Sequence, residues 1–106
     1  METKISRNKL NRINKLIESD YPVFLNFMKA KFPLFHNSNI FYRDLQFGLI
    51  KFLEKKGQKV SSVEAQRLAD DIGKNLEEKG IFTRVNNSGW RLNYPEFTTT
   101  KPGDPL

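Results

Sequence analysis

The residues that could perform acid–base or nucleophilic chemistry are few. The 106 residues include one histidine, His36, and no cysteine, so the commonest general base and the strongest nucleophile are nearly absent. His36 lies in the segment 35–38, whose polar residues are typical of a connection beside helix caps, and a loop or capping role is expected for it. The carboxylate pairs at 70–71 and 77–78 are adjacent in a predicted helix, so their members point about 100° apart and do not converge. We therefore expect no catalytic site.

Motifs for metals, cofactors and membranes are also missing from the sequence. No zinc-binding cysteine set, HExxH helix, calcium loop or glycine-rich phosphate loop occurs, so no metal, cofactor or small-molecule substrate is expected. No apolar run approaches the roughly 18 residues that a transmembrane helix requires. The absence of cysteine and of a secretory signal favours a cytoplasmic protein.

Basic side chains are the remaining groups that could bind a ligand, and they are concentrated in the first half of the chain. The net charge is +6; residues 1–60 contribute +7 and residues 61–106 contribute −1. Cations repeated along one helix attract phosphates, so this distribution favours an anionic partner met mainly through the N-terminal helix. The candidate nucleic-acid contacts in that helix are Arg7, Lys9, Arg12 and Lys15. An ordinary solvated basic face, or a helix lying on an anionic membrane surface, are the alternatives.

Helical periodicity predicts the elements that carry these side chains. A first helix is expected from about Ser6 to Glu18, and a second begins near Pro22 and ends before Pro33. Apolar residues at three- and four-residue intervals predict a third helix over 40–56, closed by Gly57. Ser61 and Glu64 have the spacing of a capping box and predict a fourth helix that stops at Gly80. Gly73 inside it indicates close packing against a neighbouring element.

Residues 81–94 alternate with a period of two, which predicts a β-hairpin. With a four-residue loop at 86–89, Val85 would face Trp90, Thr83 would face Leu92 and Ile81 would face Tyr94 on the buried side. The outer side would then pair Arg84 with Arg91 and Phe82 with Asn93. Like charges directly opposite are mildly unfavourable, so an anion held between the two arginines would relieve the repulsion. Arg84 and Arg91 are therefore further candidate nucleic-acid contacts.

The predicted fold is mainly α with a C-terminal β-hairpin, a winged-helix-type domain preceded by one or two extra N-terminal helices. Residues 1–94 form the domain, in which 1–19 are the basic N-terminal helix and 40–94 are the helix-turn-helix plus wing; residues 95–106 form a flexible polar tail. The segment 40–94 contains, in order, a phenylalanine-containing helix, a helix opening with Glu-Ala, a glycine and a hairpin that ends in an aromatic residue. The corresponding residues are Phe52-Leu53, Glu64-Ala65, Gly80-Ile81 and Tyr94. In these features the segment resembles a DEP domain, a relative of the winged helix-turn-helix superfamily. The fourth helix is about one turn longer than in that family, and the phenylalanine–glycine pair expected ahead of Phe52 is out of place.

In a standard winged helix, the helix that corresponds to the predicted fourth helix of this chain contacts the DNA, but in this chain that helix is acidic. Residues 62–79 carry five acids against three bases, a net charge of −2, which opposes contact with phosphates. We therefore expect a non-catalytic module that contacts nucleic acid through the N-terminal helix and the wing. The alternative is a protein-interaction or assembly subunit of the same fold, with Phe82 on the outer wing face and Phe97 in the tail as exposed partner-binding anchors.

Overall fold

The structure, a computed structural model, describes residues 7–97, and four helices occupy most of this range. The elements in chain order are α1 (Arg7–Ser19), α2 (Tyr21–Lys31), β1 (Asn39–Phe41), α3 (Tyr42–Lys55), α4 (Ser62–Glu78), β2 (Phe82–Asn86) and β3 (Gly89–Leu92), followed by a single 3₁₀ turn (Pro95–Phe97). The predicted mainly helical fold with a C-terminal hairpin is confirmed. The four predicted helices are all present, with α3 beginning two residues later than expected.

The start of α4 follows from its local sequence. The Ser61 hydroxyl accepts a hydrogen bond from the Glu64 amide at 3.1 Å, and the Glu64 carboxylate accepts one from the Ser61 amide at 2.9 Å. Both halves of the predicted capping box are therefore formed. The predicted glycine stops are confirmed too, because Gly57 and Gly80 each adopt a φ of +79°, which glycine tolerates without strain.

The strands form one antiparallel sheet in the order β1-β3-β2. β1 was not predicted: its three residues were assigned to the connection before α3 and to the first turn of that helix. It pairs with β3 in the register Asn39↔Arg91, Ile40↔Trp90 and Phe41↔Gly89. As a result Phe41, expected on the apolar stripe of a helix, is 51% exposed on the outer side of the sheet.

The predicted hairpin register is wrong by one residue. Phe82 pairs with Leu92, Thr83 with Arg91 and Arg84 with Trp90, and the turn contains two residues rather than four. A β-bulge between Arg84 and Asn86 absorbs the extra residue. This register buries Phe82, which is larger than Thr83, against Trp90 with ring centroids 5.0 Å apart. Val85, expected in the core, is half exposed.

One continuous core joins all these elements. The helices contribute buried aliphatic and phenylalanine side chains, and the sheet contributes Ile40, Phe82, Trp90 and Leu92. The packing predicted for Gly73 is confirmed, because a Cβ atom built there would lie 2.6 Å from Cζ2 of Trp90. The bare backbone of α4 at Gly73 therefore lets the sheet approach the helix closely.

Candidate nucleic-acid interface

The basic helix α1 lies against α4 through two polar contacts. The Lys9 ammonium is 3.1 Å from Glu64 Oε1 and also donates to the carbonyl of Lys59. Five residues later, Asn14 donates from Nδ2 to Asp71 Oδ2 at 3.0 Å. Because both contacts advance along both helices, α1 and α4 run in the same general direction.

Glu64 is stabilised as a carboxylate by this arrangement. The hydrogen bond from the Ser61 backbone amide lowers the pKa of Glu64 most, and the hydrogen bond and charge of Lys9 lower it further. One carboxylate thus caps α4 and holds α1 beside it. Lys9, predicted as a phosphate contact, forms an ion pair with Glu64 in the structure.

The other flank of α4 is engaged by α3 and the hairpin. Tyr42 donates its hydroxyl to Asp70, and burial together with this hydrogen bond raises the pKa of Tyr42 to about 12. Glu77 accepts a hydrogen bond from Trp90 Nε1 at 2.6 Å and pairs with Arg84 Nη2 at 2.9 Å. The Arg84 guanidinium also lies 4.9 Å from the centroid of the Trp90 ring.

These contacts change the electrostatic character of α4. Four of its five acidic residues bond to a neighbouring element, and two of them form ion pairs with Lys9 and Arg84. Adding those two cations to the formal charge of −2 for residues 62–79 gives a local sum of zero. The α4 surface is therefore close to neutral, whereas its composition alone predicted repulsion of phosphates.

Exposed cations remain on α1 and on the outward side of α4. We call them the α1–α4 surface: Arg7, Arg12, Lys15, Arg67 and Lys74, all exposed. None of the five forms an ion pair with a carboxylate of residues 7–97. A shallow polar groove lined by Arg67, Asp70, Asp71, Lys74 and Arg84 runs across α4. Four of these residues belong to α4 and Arg84 belongs to β2, so the groove lies between α4 and the hairpin.

The predicted clamp between Arg84 and Arg91 is wrong. Arg84 pairs across the strands with Trp90 and lies on the α4 side of the sheet, where Glu77 already binds it. Arg91 pairs with Thr83 and Asn39. Because successive side chains alternate between faces, Arg91 lies on the opposite side of the sheet from Trp90 and Arg84. The two arginines cannot hold one phosphate between them.

The two predicted partner-binding anchors are buried. Phe82 lies on the buried face of the hairpin. Phe97 lies in the 3₁₀ turn and makes a T-shaped contact with Tyr94, with ring centroids 4.8 Å apart. Residues 95–97 are thus packed rather than part of a flexible tail, because Phe97 supplies apolar surface and its carbonyl accepts a hydrogen bond from the His36 amide. The remainder of the predicted tail, residues 98–106, lies outside the described residues.

His36 has the loop role that was expected. Its Nδ1 accepts a hydrogen bond from the Tyr94 amide at 3.0 Å and ties the α2–β1 connection to the end of the hairpin. Within residues 7–97 no group of three or more potential ligands among His, Cys, Asp and Glu could hold a metal ion.

Arg67 and Lys74 were not predicted as site residues. They are seven residues apart, two helical turns, which places them on one strip of α4. The sequence shows that spacing, but the net charge of −2 over residues 62–79 argues against phosphate contacts on this helix. Glu64 pairs with Lys9, 55 positions away, and Glu77 pairs with Arg84 on the neighbouring strand; local sequence patterns could not predict either pairing.

No protein-family model, curated protein or solved structure matches this chain. None of the helices within residues 7–97 has the length and apolar character needed to cross a bilayer.

Proposed function

We propose that this protein is a non-catalytic nucleic-acid-binding module that contacts the phosphates of a duplex through its α1–α4 surface. Arg7, Arg12 and Lys15 of α1 supply the main contacts, and Arg67 and Lys74 extend them along α4. Arg84, at the hairpin end of the groove, contributes to the positive electrostatic potential while it remains paired with Glu77.

The observation that carries this proposal is the internal engagement of the α4 carboxylates. An acidic helix beside a basic one would cancel its attraction for phosphates. Here Glu64 and Glu77 are held in ion pairs, and Asp70 and Asp71 accept hydrogen bonds from neighbouring elements. The exposed arginines and lysines of α1 and α4 are left to face solvent.

The alternative, a protein-interaction or assembly subunit, is weakened at the residues first assigned to it. Phe82 and Phe97 are 2% and 5% exposed and cannot act as anchors without unfolding their surroundings. Phe41 of β1 and Val85 of β2 are 51% and 49% exposed, and a protein partner could use these apolar side chains of the sheet instead.

The experiment is a pair of charge-neutralising variants measured against one short duplex. Arg12→Gln combined with Lys15→Gln should weaken duplex binding and reduce the slope of log affinity against log salt by up to about 2, one unit per lost phosphate contact. Both side chains are exposed and unpaired within residues 7–97, so the midpoint of thermal unfolding should stay close to that of the wild type.

The matched control removes the same charge elsewhere. Lys51→Gln combined with Lys55→Gln alters α3, outside the α1–α4 surface, and should leave the duplex salt slope nearly unchanged. Equal losses in the two double variants would mean that duplex binding depends only on net charge, and the assignment to α1 and α4 would be wrong.

A further inference from the structure

Lysine and phenylalanine side chains of α2 and α3 lie together on a part of the surface that the proposed duplex site does not use. We call this the lysine–phenylalanine surface; its members are Phe27, Phe47, Phe52, Lys31, Lys51, Lys55 and Lys56. An edge contact between Phe27 and Phe52, with ring centroids 5.4 Å apart, joins the two helices within it.

Each lysine on this surface lies over the face of a phenylalanine ring. The ammonium of Lys31 is 5.4 Å from the centroid of Phe27, and that of Lys55 is 6.0 Å from the same ring. Lys51 lies 5.5 Å from Phe47, and Lys56 lies 5.3 Å from Phe52. The rings of Phe27 and Phe47 therefore each turn a face toward the charged, solvated side of the helices, whereas Phe52 belongs to the buried core.

The surface is strongly positive. Within residues 7–97 the only carboxylate that pairs with these lysines is Glu54, whose Oε1 is 3.6 Å from Lys51, so the four lysines and this glutamate sum to +3. Lys51 and Lys55 are one helical turn apart, about 6 Å along the axis of α3. Such a row of cations is complementary to a flexible polyanion that can follow the helix.

The most exposed ring on this surface is that of Phe47. Phe47 is 48% exposed, and its ring makes a T-shaped contact with Phe32, with ring centroids 6.2 Å apart. Phe27 is partly buried, and Phe52 is 6% exposed. A planar ligand group therefore has access to Phe47 first and to Phe27 second.

The pairing of rings with ammonium groups favours one kind of polyanion over others. A single-stranded nucleotide carries both a phosphate and a flat base, so the base can stack on a phenylalanine face while the ammonium that covered it moves to the phosphate. An acidic peptide or an anionic lipid surface supplies the negative charge but no flat ring to take the place of the ammonium. Bases in a duplex are stacked on each other and cannot use the rings.

We propose that the lysine–phenylalanine surface binds single-stranded nucleic acid, with bases stacked on Phe47 and Phe27 and phosphates held by Lys51, Lys55 and Lys31. This site shares no residue with the α1–α4 surface and goes beyond the proposed duplex contact.

The test measures the affinity of the full chain for a fluorescent oligothymidylate. Phe47→Leu, which removes the ring and keeps the charge, should weaken binding by about 5- to 10-fold, the lower end of the range for loss of one stacked base. Lys51→Gln combined with Lys55→Gln should lower the salt slope for the single strand by about 1.4, since each phosphate contact contributes about 0.7.

Two matched controls accompany these variants. Phe41→Leu removes a phenylalanine of similar exposure from the sheet and should leave single-strand affinity unchanged. Arg12→Gln combined with Lys15→Gln removes the same charge from α1 and should affect the duplex more than the single strand. Circular dichroism of each variant establishes that it is folded.

Each outcome decides the proposal. Equal affinity of the Phe47→Leu and Phe41→Leu variants for the oligothymidylate would exclude stacking and overturn it. Binding to phosphatidylserine vesicles that is lost in Phe47→Leu, without binding of the oligonucleotide, would overturn it in favour of a lipid surface. Binding of a duplex but not of the single strand would reject this inference alone, and binding of the single strand without the duplex would reject only the proposed function.

Discussion

Trp90 is the side chain through which the hairpin is attached to α4. Its indole ring lies on the backbone at Gly73, its Nε1 donates to Glu77, and the Arg84 guanidinium covers its face. Phe82 packs beside it in the core. Packing, a hydrogen bond and a cation–π contact thus converge on one residue, so its neighbours should tolerate little change in volume.

Gly73→Ala tests that packing. Alanine favours a helix over glycine by up to about 1 kcal/mol, but the added methyl group would lie 2.6 Å from Trp90 Cζ2 and force the ring to move. Overpacking of this kind costs about 1–3 kcal/mol, so we expect a net loss of stability in urea denaturation. Lys74→Ala, an exposed change one residue along α4, is the control and should shift stability by about 0.5 kcal/mol or less. A Gly73→Ala protein more stable than the wild type would contradict the packing described here.

At the scale of elements, locally encoded features were predictable and long-range ones were not. The capping box needs only Ser61 and Glu64 three residues apart, and the helix stops need only a glycine, so both follow from adjacent residues. β1 is three residues long and is defined by its pairing with β3, some 50 positions away. The alternation of polar and apolar residues does not reveal the bulge at Val85, and for this reason the predicted hairpin register is wrong.

The candidate site likewise has some features that follow from local sequence and others that depend on long-range contacts. Arg7, Arg12 and Lys15 are exposed because they lie off the buried face of α1, which Leu10, Ile13 and Ile17 form at helical spacing. The engagement of Lys9 by Glu64 depends on how α1 packs on α4, and that contact spans 55 positions. The prediction of exposed anchors at Phe82 and Phe97 failed because one depended on the strand register and the other on packing of the segment after β3.

The apolar face of α4 provides a test at this scale. Leu76 is 1% exposed, and Leu76→Asp would bury an unpaired charge at a cost of several kcal/mol, enough to unfold the domain. Val63 is 51% exposed in the first turn of the same helix, where a carboxylate is favoured by the helix dipole. Val63→Asp should therefore remain folded with unchanged or slightly higher stability by circular dichroism and thermal melting. A folded Leu76→Asp protein would mean that the wrong face of α4 has been assigned to the core.

In the molecule as a whole, where the net charge is +6, two basic surfaces stand out, and we propose different partners for them. The α1–α4 surface combines arginines and lysines on two helices that run side by side, which suits a rigid polyanion. The lysine–phenylalanine surface combines cations with accessible rings, which suits a flexible one. Ion pairs with Lys9 and Arg84 offset the charges of Glu64 and Glu77, two of the five acids of α4.

We propose that the wild-type protein binds nucleic acid electrostatically through these surfaces. The most direct measurement is a titration of the unmodified chain with a mixed-sequence duplex and with single strands of DNA and RNA across a range of salt concentrations. We expect binding at low salt that weakens linearly in log affinity against log salt, with a duplex slope of about −3 to −5 for contacts from three to five cations. Absence of binding to every one of these nucleic acids at low salt would show that neither surface binds nucleic acid, and would leave a protein partner at Phe41 and Val85 as the alternative.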